Sequence, residues 1–191
     1  MYKLLENRLS ILLVMLCITF FVSCDDDDDP ETPVDNNAIL GLWEFESQEI
    51  AFYRDGIELD DGFVTLVLAV LQVELSDFEI PEDATFEFMA DSTFEGNASG
   101  FDTQTGKWLL SSDQKTLNLS SENDLLFIDL ESLPQDVRDL FFEADDSINV
   151  EVLKLTDTES SFLISGEGPF EVSGFGTQQI RVDLTINLIK N

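Results

Sequence analysis

The feature that most constrains this chain is an alternation of apolar and polar residues with a period of two. It is cleanest near the end, where Ile180, Val182, Leu184, Ile186 and Leu188 share one parity and Arg181, Asp183, Thr185 and Asn187 the other. Successive side chains of a strand point to opposite faces, so such a run predicts a strand with one buried and one wet face. The pattern recurs. Phe86 and Phe88 alternate with Thr85, Glu87 and Met89; Ala90-Asp91-Ser92 turns the chain, and Thr93-Phe94-Glu95 resumes. Trp108 and Leu110 precede the turn Ser111-Ser112-Asp113-Gln114, and Leu117 and Leu119 follow it. Ile148, Val150 and Val152 lead to Thr156-Asp157-Thr158-Glu159, after which Phe162 and Ile164 begin another strand. With residues 43–53 and 125–130 added, about eight strands are predicted. Half-buried strands joined by short turns predict an all-β fold, an antiparallel up-and-down barrel or a sandwich.

Two segments depart from this period. Ser132-Leu133-Pro134-Gln135 reads as a helix start, with Ser132 as N-cap and Gln135 at N3. Leu133, Val137, Leu140 and Phe141 then fall on one helix face. Residues 63–76 are apolar on most sides, with Thr65, Ala69, Gln72 and Ser76 recurring at helical spacing and Asp60 or Asp61 available as a cap. A helix is predicted there. The alternative is a buried strand, because Val64-Thr65-Leu66-Val67-Leu68 has high β propensity.

The N-terminus carries a different signal. Lys3 and Arg8, partly offset by Glu6, precede a 12-residue apolar stretch, residues 11–22, interrupted only by Thr19. That is short of the ~20 residues a transmembrane helix needs and fits the layout of an export signal. Phe21-Val22-Ser23-Cys24 closes it and resembles the lipobox of bacterial lipoproteins, with Phe21 where Leu is usual. The resemblance implies cleavage before Cys24, lipidation of Cys24, and anchoring to a membrane. Cys17 would be removed with residues 1–23, which leaves Cys24 as the one thiol of the exported chain and rules out an internal disulfide. Residues 24–37 follow, with five consecutive aspartates at 25–29, then Glu31 and Asp35, two prolines, and Val34 as the single aliphatic side chain. This acidic tether cannot form a core and reaches roughly 40 Å when extended, at ~3.3 Å per residue. Acids directly after the lipidated Cys resemble the surface-export signal of Bacteroidetes lipoproteins, which implies an outer-membrane protein exposed at the cell surface.

Residues 38–191 make one domain. The chain has 40 acidic and 9 basic side chains and no histidine. Glu6, Lys3 and Arg8 fall in the signal and seven acids in the tether, so the domain holds 32 acids against 7 bases. That balance repels nucleic acid. Without His there is no Ser-His-Asp triad and no imidazole metal ligand. Asp60-Asp61 and Asp145-Asp146 lack EF-hand spacing and read as loop charges or loose Ca²⁺ contacts. Gly166-Glu167-Gly168 and Gly174-Phe175-Gly176 are not phosphate loops, because no Lys-Ser/Thr follows them. Asp91-Ser92-Thr93 and Asp146-Ser147-Ile148 resemble a three-residue O-glycosylation sequon, but turn chemistry explains both. No catalytic residue, metal site or cofactor is predicted, and the chain is read as no enzyme.

Three pieces of the domain resemble bacterial lipocalin-like domains. Gly41-Leu42-Trp43 with Glu44-Phe45-Glu46 is similar to the lipocalin G-x-W. Residues 86–94 are similar to the family's F-x-F-x-A-D-G-T-F hairpin, with Ser92 in place of Gly. Residues 106–119 are close to its G-x-W…D-x-K-T-L-x-L hairpin. The resemblance implies a lipocalin-like barrel whose closed end is plugged by Trp43, with Lys190 at the end of the last strand as the basic residue over the indole. It also implies an apolar pocket lined by Phe45, Phe86, Phe88, Phe94, Trp108, Leu117 and Leu119. The alternative is that this set is simply core. The 57–83 insertion is expected to cover a barrel end. Two functions follow as expectations: a barrel binding a small hydrophobic ligand, or a filled barrel that docks another envelope protein through its outer surface or that insertion. An open cavity of at least ~300 Å³ lined by that Phe set would favour the first. A closed core with an exposed apolar patch on the insertion would favour the second.

Overall fold

The computed structural model describes residues 38–121, 125–128, 133–143, 147–172 and 174–190. All lie in one compact unit, Val34–Asn191. Cys24, the export signal and the tether fall outside the described residues. The strands are β1 (Gly41–Arg54), β2 (Ile57–Glu58), β3 (Thr85–Phe88), β4 (Thr93–Asn97), β5 (Gln104–Leu110), β6 (Thr116–Ser121), β7 (Ser147–Leu155), β8 (Glu159–Val172) and β9 (Gly176–Ile189). Each barrel strand pairs antiparallel with the next, and β9 returns to pair with β1 from Glu44–Ile189 to Arg54–Ile180. The ring of β1 and β3 to β9 is therefore a closed eight-stranded up-and-down barrel, and β2 only lengthens the turn after β1. Closure removes the free edges that an open sheet would present.

The alternation seen in the sequence sets which side faces in. Ile180, Val182, Leu184, Ile186 and Leu188 of β9 are all buried, as are Phe162, Ile164, Phe170 and Val172 of β8. β1 changes phase. Its pairing with β9 slips between Phe45 and Ser47, leaving Glu46 as the extra residue of a bulge. Before the bulge Trp43 faces in; after it, Ile50 and Phe52 do. One inserted residue moves every later side chain to the other face.

Helix α1 (Asp61–Leu71) forms where residues 63–76 predicted one. The Asp60 carboxylate accepts the Phe63 N–H at 3.1 Å, and Gln72 ends the helix in the left-handed region with φ 57°. The helix stops five residues before Ser76, and Leu75–Phe78 form a separate 3-10 turn. Val67 and Leu71 are buried, each worth roughly 1.5–3 kcal/mol when taken fully from water, and this outweighs the β propensity of the valines.

Helix α2 (Gln135–Phe141) begins two residues later than the expected Ser132 cap implies, with Pro134 at the N-cap. Ser132 lies outside the described residues. Proline suits the entry to a helix because its missing N–H is not needed there. The expected face survives the shift: Leu133 and Val137 are buried and Leu140 and Phe141 half-buried.

The strand expected at 125–130 does not form over the described part. Residues 125–128 make a tight turn closed by a Leu125–Ile128 bridge, with Leu126 at φ 55° and Phe127 at φ 63°. All four side chains are buried. A turn can bury four consecutive apolar residues, and a half-exposed strand cannot. Burial offsets the strain of two large residues in the left-handed region.

Candidate functional site

The barrel interior is the candidate site, and it is built in layers. At one end Trp43 is 0% exposed and donates its indole N–H to the Ile39 carbonyl at 2.7 Å. The Lys190 ammonium stands 4.8 Å from the Trp43 ring centroid and donates to the Leu40 carbonyl. Gly41 is required between them: its φ is 111°, and a Cβ there would lie 3.0 Å from Lys190 Cε. Arg181, at the other end of β9, stacks instead over Tyr53 at 4.5 Å on the outer face.

The middle layer holds the aromatic set. Phe86, Phe88, Phe94, Trp108, Leu117 and Leu119 are all buried and face inward, while Phe45, next to the β1 bulge, is half-buried against the same core. Trp108 donates its indole N–H to the Thr93 carbonyl at 2.9 Å and to the Met89 carbonyl at 3.2 Å, and stands edge-on to Phe88. It thereby ties β5 to the turn between β3 and β4. Phe94 lies across the strand from Gly106, and a Cβ at Gly106 would meet its ring at 2.4 Å. This layer surrounds a void of about 20 Å³ with no polar lining. Such a space holds about one water and offers it no hydrogen-bond partner.

The upper layer is supplied by the insertions. The turn 125–128, in the connection from β6 to β7, is held at the start of β5: Gln104, itself buried, accepts the Phe127 N–H at 2.9 Å, and the Phe127 ring packs on Phe86 at 5.6 Å between centroids. Gln48 replaces an apolar residue on the inner face of β1 because the chain between β2 and β3 needs it. Its side chain accepts the Ile80 N–H and donates to the Phe78 carbonyl. α2 closes this end over β8. Gly166 and Gly168 make room for it, with Leu140 and Phe141 lying where their Cβ atoms would be. Phe78, Phe141, Leu133 and Ile128 meet around a second apolar void of about 20 Å³. The glycine pair that failed the phosphate-loop pattern is thus a seat for a helix. The sequence signal was available, since two glycines share the inward parity of β8, where side chains should be large.

A larger space lies outside the barrel. A solvent-open crevice of about 260 Å³ sits beside the N-terminus of α1, lined by Arg54, Asp55, Ile57, Glu58, Leu59, Asp60 and Phe63. Arg54 itself lies over the Phe63 ring at 4.9 Å.

The carboxylates with lowered pKa serve turns. The Asp91 carboxylate is held below the usual aspartate range by the Thr93 hydroxyl and then the Thr93 N–H. Asp113 is lowered by the Ser111 hydroxyl and the Lys115 N–H, and Asp83 by Ser99. Asp91-Ser92-Thr93 is accordingly an Asx-type turn, with Ser92 at φ 67°; Ser147 of the second three-residue match is buried. Among the described residues no group of three or more Cys, Asp or Glu side chains is placed to hold a metal ion. No described helix is long and apolar enough to cross a membrane.

No protein-family model and no curated protein matches the sequence. A solved structure, the crystal structure of a lipocalin-like protein from Bacteroides uniformis ATCC 8492, is similar over 81% of this chain and 99% of its own. The two share 13% identity with a TM-score of 0.35.

Proposed function

We propose that this chain is an exported scaffold, lipid-anchored through Cys24 at the outer membrane and exposed at the cell surface. Its barrel is filled by its own side chains and carries a protein-docking surface. The single observation behind this reading is the interior. Its two apolar voids measure about 20 Å³ each, against the roughly 300 Å³ at which ligand pockets begin. Admitting a small hydrophobic ligand would require Phe127, the 125–128 turn or α2 to leave the barrel. No catalytic step is assigned, and the anchor and location rest on residues 1–37 alone.

Titration of the purified full-length chain with a fluorescent fatty acid tests this reading. No saturable binding is expected. Saturable uptake of one molecule per chain would overturn it in favour of a ligand carrier.

A further inference from the structure

The longest uncharged run in residues 38–191 is 62–73, twelve residues, and residues 62–71 of it lie in α1. A helix packed on a protein by one face normally carries charge on the other. α1 does not. Thr65, Leu66, Ala69 and Val70 are all exposed, with Leu66 at 46% and Val70 at 36%. The apolar surface extends beyond the helix start. Ile57 in β2 is 72% exposed, and Phe175, 55% exposed in the β8–β9 turn, stands edge-on to Phe63 at 5.4 Å.

The rim has the opposite character. Between residues 54 and 83 there are nine acids and one base. Asp55, Glu58, Asp60, Asp61, Glu74 and Asp77 are all exposed, and the one base, Arg54, is turned onto Phe63. Asp55, Glu58 and Asp60 line the 260 Å³ crevice together with Arg54, Ile57 and Phe63, three carboxylates against one guanidinium that is stacked on the Phe63 ring. An apolar strip with an anionic rim and an anionic recess sits on a domain that is acidic throughout.

We propose, resting on the scaffold reading above, that α1 and the adjoining crevice dock an amphipathic, basic protein segment. Its apolar stripe covers Ile57, Leu66 and Val70, and a Lys or Arg enters the crevice. Charge selects this occupant. A second copy of the chain would press one acidic rim against another, and an anionic membrane is repelled in the same way. A segment with an apolar stripe between cationic flanks gains from both parts of the surface.

The test uses the full chain and a synthetic amphipathic helix with Leu along one face and Lys on the flanks, followed by fluorescence anisotropy at physiological salt. A scrambled peptide of identical composition measures attraction due to net charge alone. The amphipathic peptide should bind about tenfold or more tighter than its scrambled isomer, a gap of about 1.4 kcal/mol or more. Leu66→Glu with Val70→Glu should erase that gap, as should Ile57→Glu, which lies outside the helix and cannot act by melting it. Leu109→Glu, at an apolar residue 67% exposed on β5, should leave it intact. Equal binding of the two peptides, indifference to the α1 substitutions, or tighter binding through α1 to phosphatidylcholine vesicles would each overturn the proposal. The fatty-acid titration on the same sample separates the two levels. If fatty acid is refused while the α1 variants bind as wild type, the scaffold reading stands and its siting on α1 falls.

Discussion

Replacing Gly166 by Ala probes the seat of α2 through the sign of its effect. A Cβ at this position would lie 2.7 Å from the Leu140 carbonyl oxygen, 2.9 Å from Phe141 Cδ1 and 3.0 Å from the Leu140 carbonyl carbon. Ordinary contact begins at 3.4 Å, so the backbone of α2 must retreat by about 0.7 Å. Overpacking of this kind costs about 1–3 kcal/mol. Opposing it, Ala in a strand is favoured over Gly by about 0.5–1 kcal/mol through chain entropy. The net expectation is a loss of about 1 kcal/mol, or about 2–4 °C in melting temperature for a domain of this size. Gly168→Ala should cost less, because the atom it meets is Leu140 Cδ2, the end of a flexible side chain. Denaturant titration of wild type and both variants measures the difference. If α2 did not occupy the barrel mouth, Gly166→Ala would stabilise the protein. A midpoint above wild type would refute the filled upper layer.

Three further outcomes are expected. Cys24→Ala should release the protein from the membrane fraction of its host, and unchanged retention would sink the anchor. The hydroxyl of Ser160 is buried in β8 with no partner among the described residues, so Ser160→Ala should raise stability by about 1 kcal/mol; a loss of that size would reveal an undescribed partner. Asp91, lowered by its bonds to Thr93, contributes stability that is present above the ordinary aspartate value of 3.8 and fades as pH falls through its lower folded value. The stability gap between wild type and Asp91→Ala should therefore hold at neutral pH and close only below pH 3.8, and closure at a higher pH would contradict the assigned bonds.

The strands were legible because each carries one wet face, and period two survives any detail of packing. The β9 alternation and the hairpin turns at Asp91 and Asp113 needed no tertiary information. What the period could not carry was everything that enters the barrel. Residues 125–128 are uniformly apolar, and a short apolar run reads as a strand until something shows that all four side chains are buried. The bulge at Glu46 is silent in the sequence because Glu46 and Ser47 are both polar, so the change of parity is visible only where Ile50 and Phe52 meet β9. The aromatic set was identifiable as inward-facing. Whether it enclosed a ligand depended on Phe127, Phe78 and α2, which arrive from the insertions between β6 and β7 and between β2 and β3. The α1 helix was readable from its cap and spacing. Its uncharged outer face acquired meaning only once Val67 and Leu71 were seen to take the buried side.

The filled barrel is tested most directly by native mass spectrometry of the mature, lipidated chain purified from its own host. The expected mass is that of residues 24–191 with the lipid on Cys24, and no retained small molecule. One equivalent of a small apolar compound, held until the protein unfolds, would contradict it.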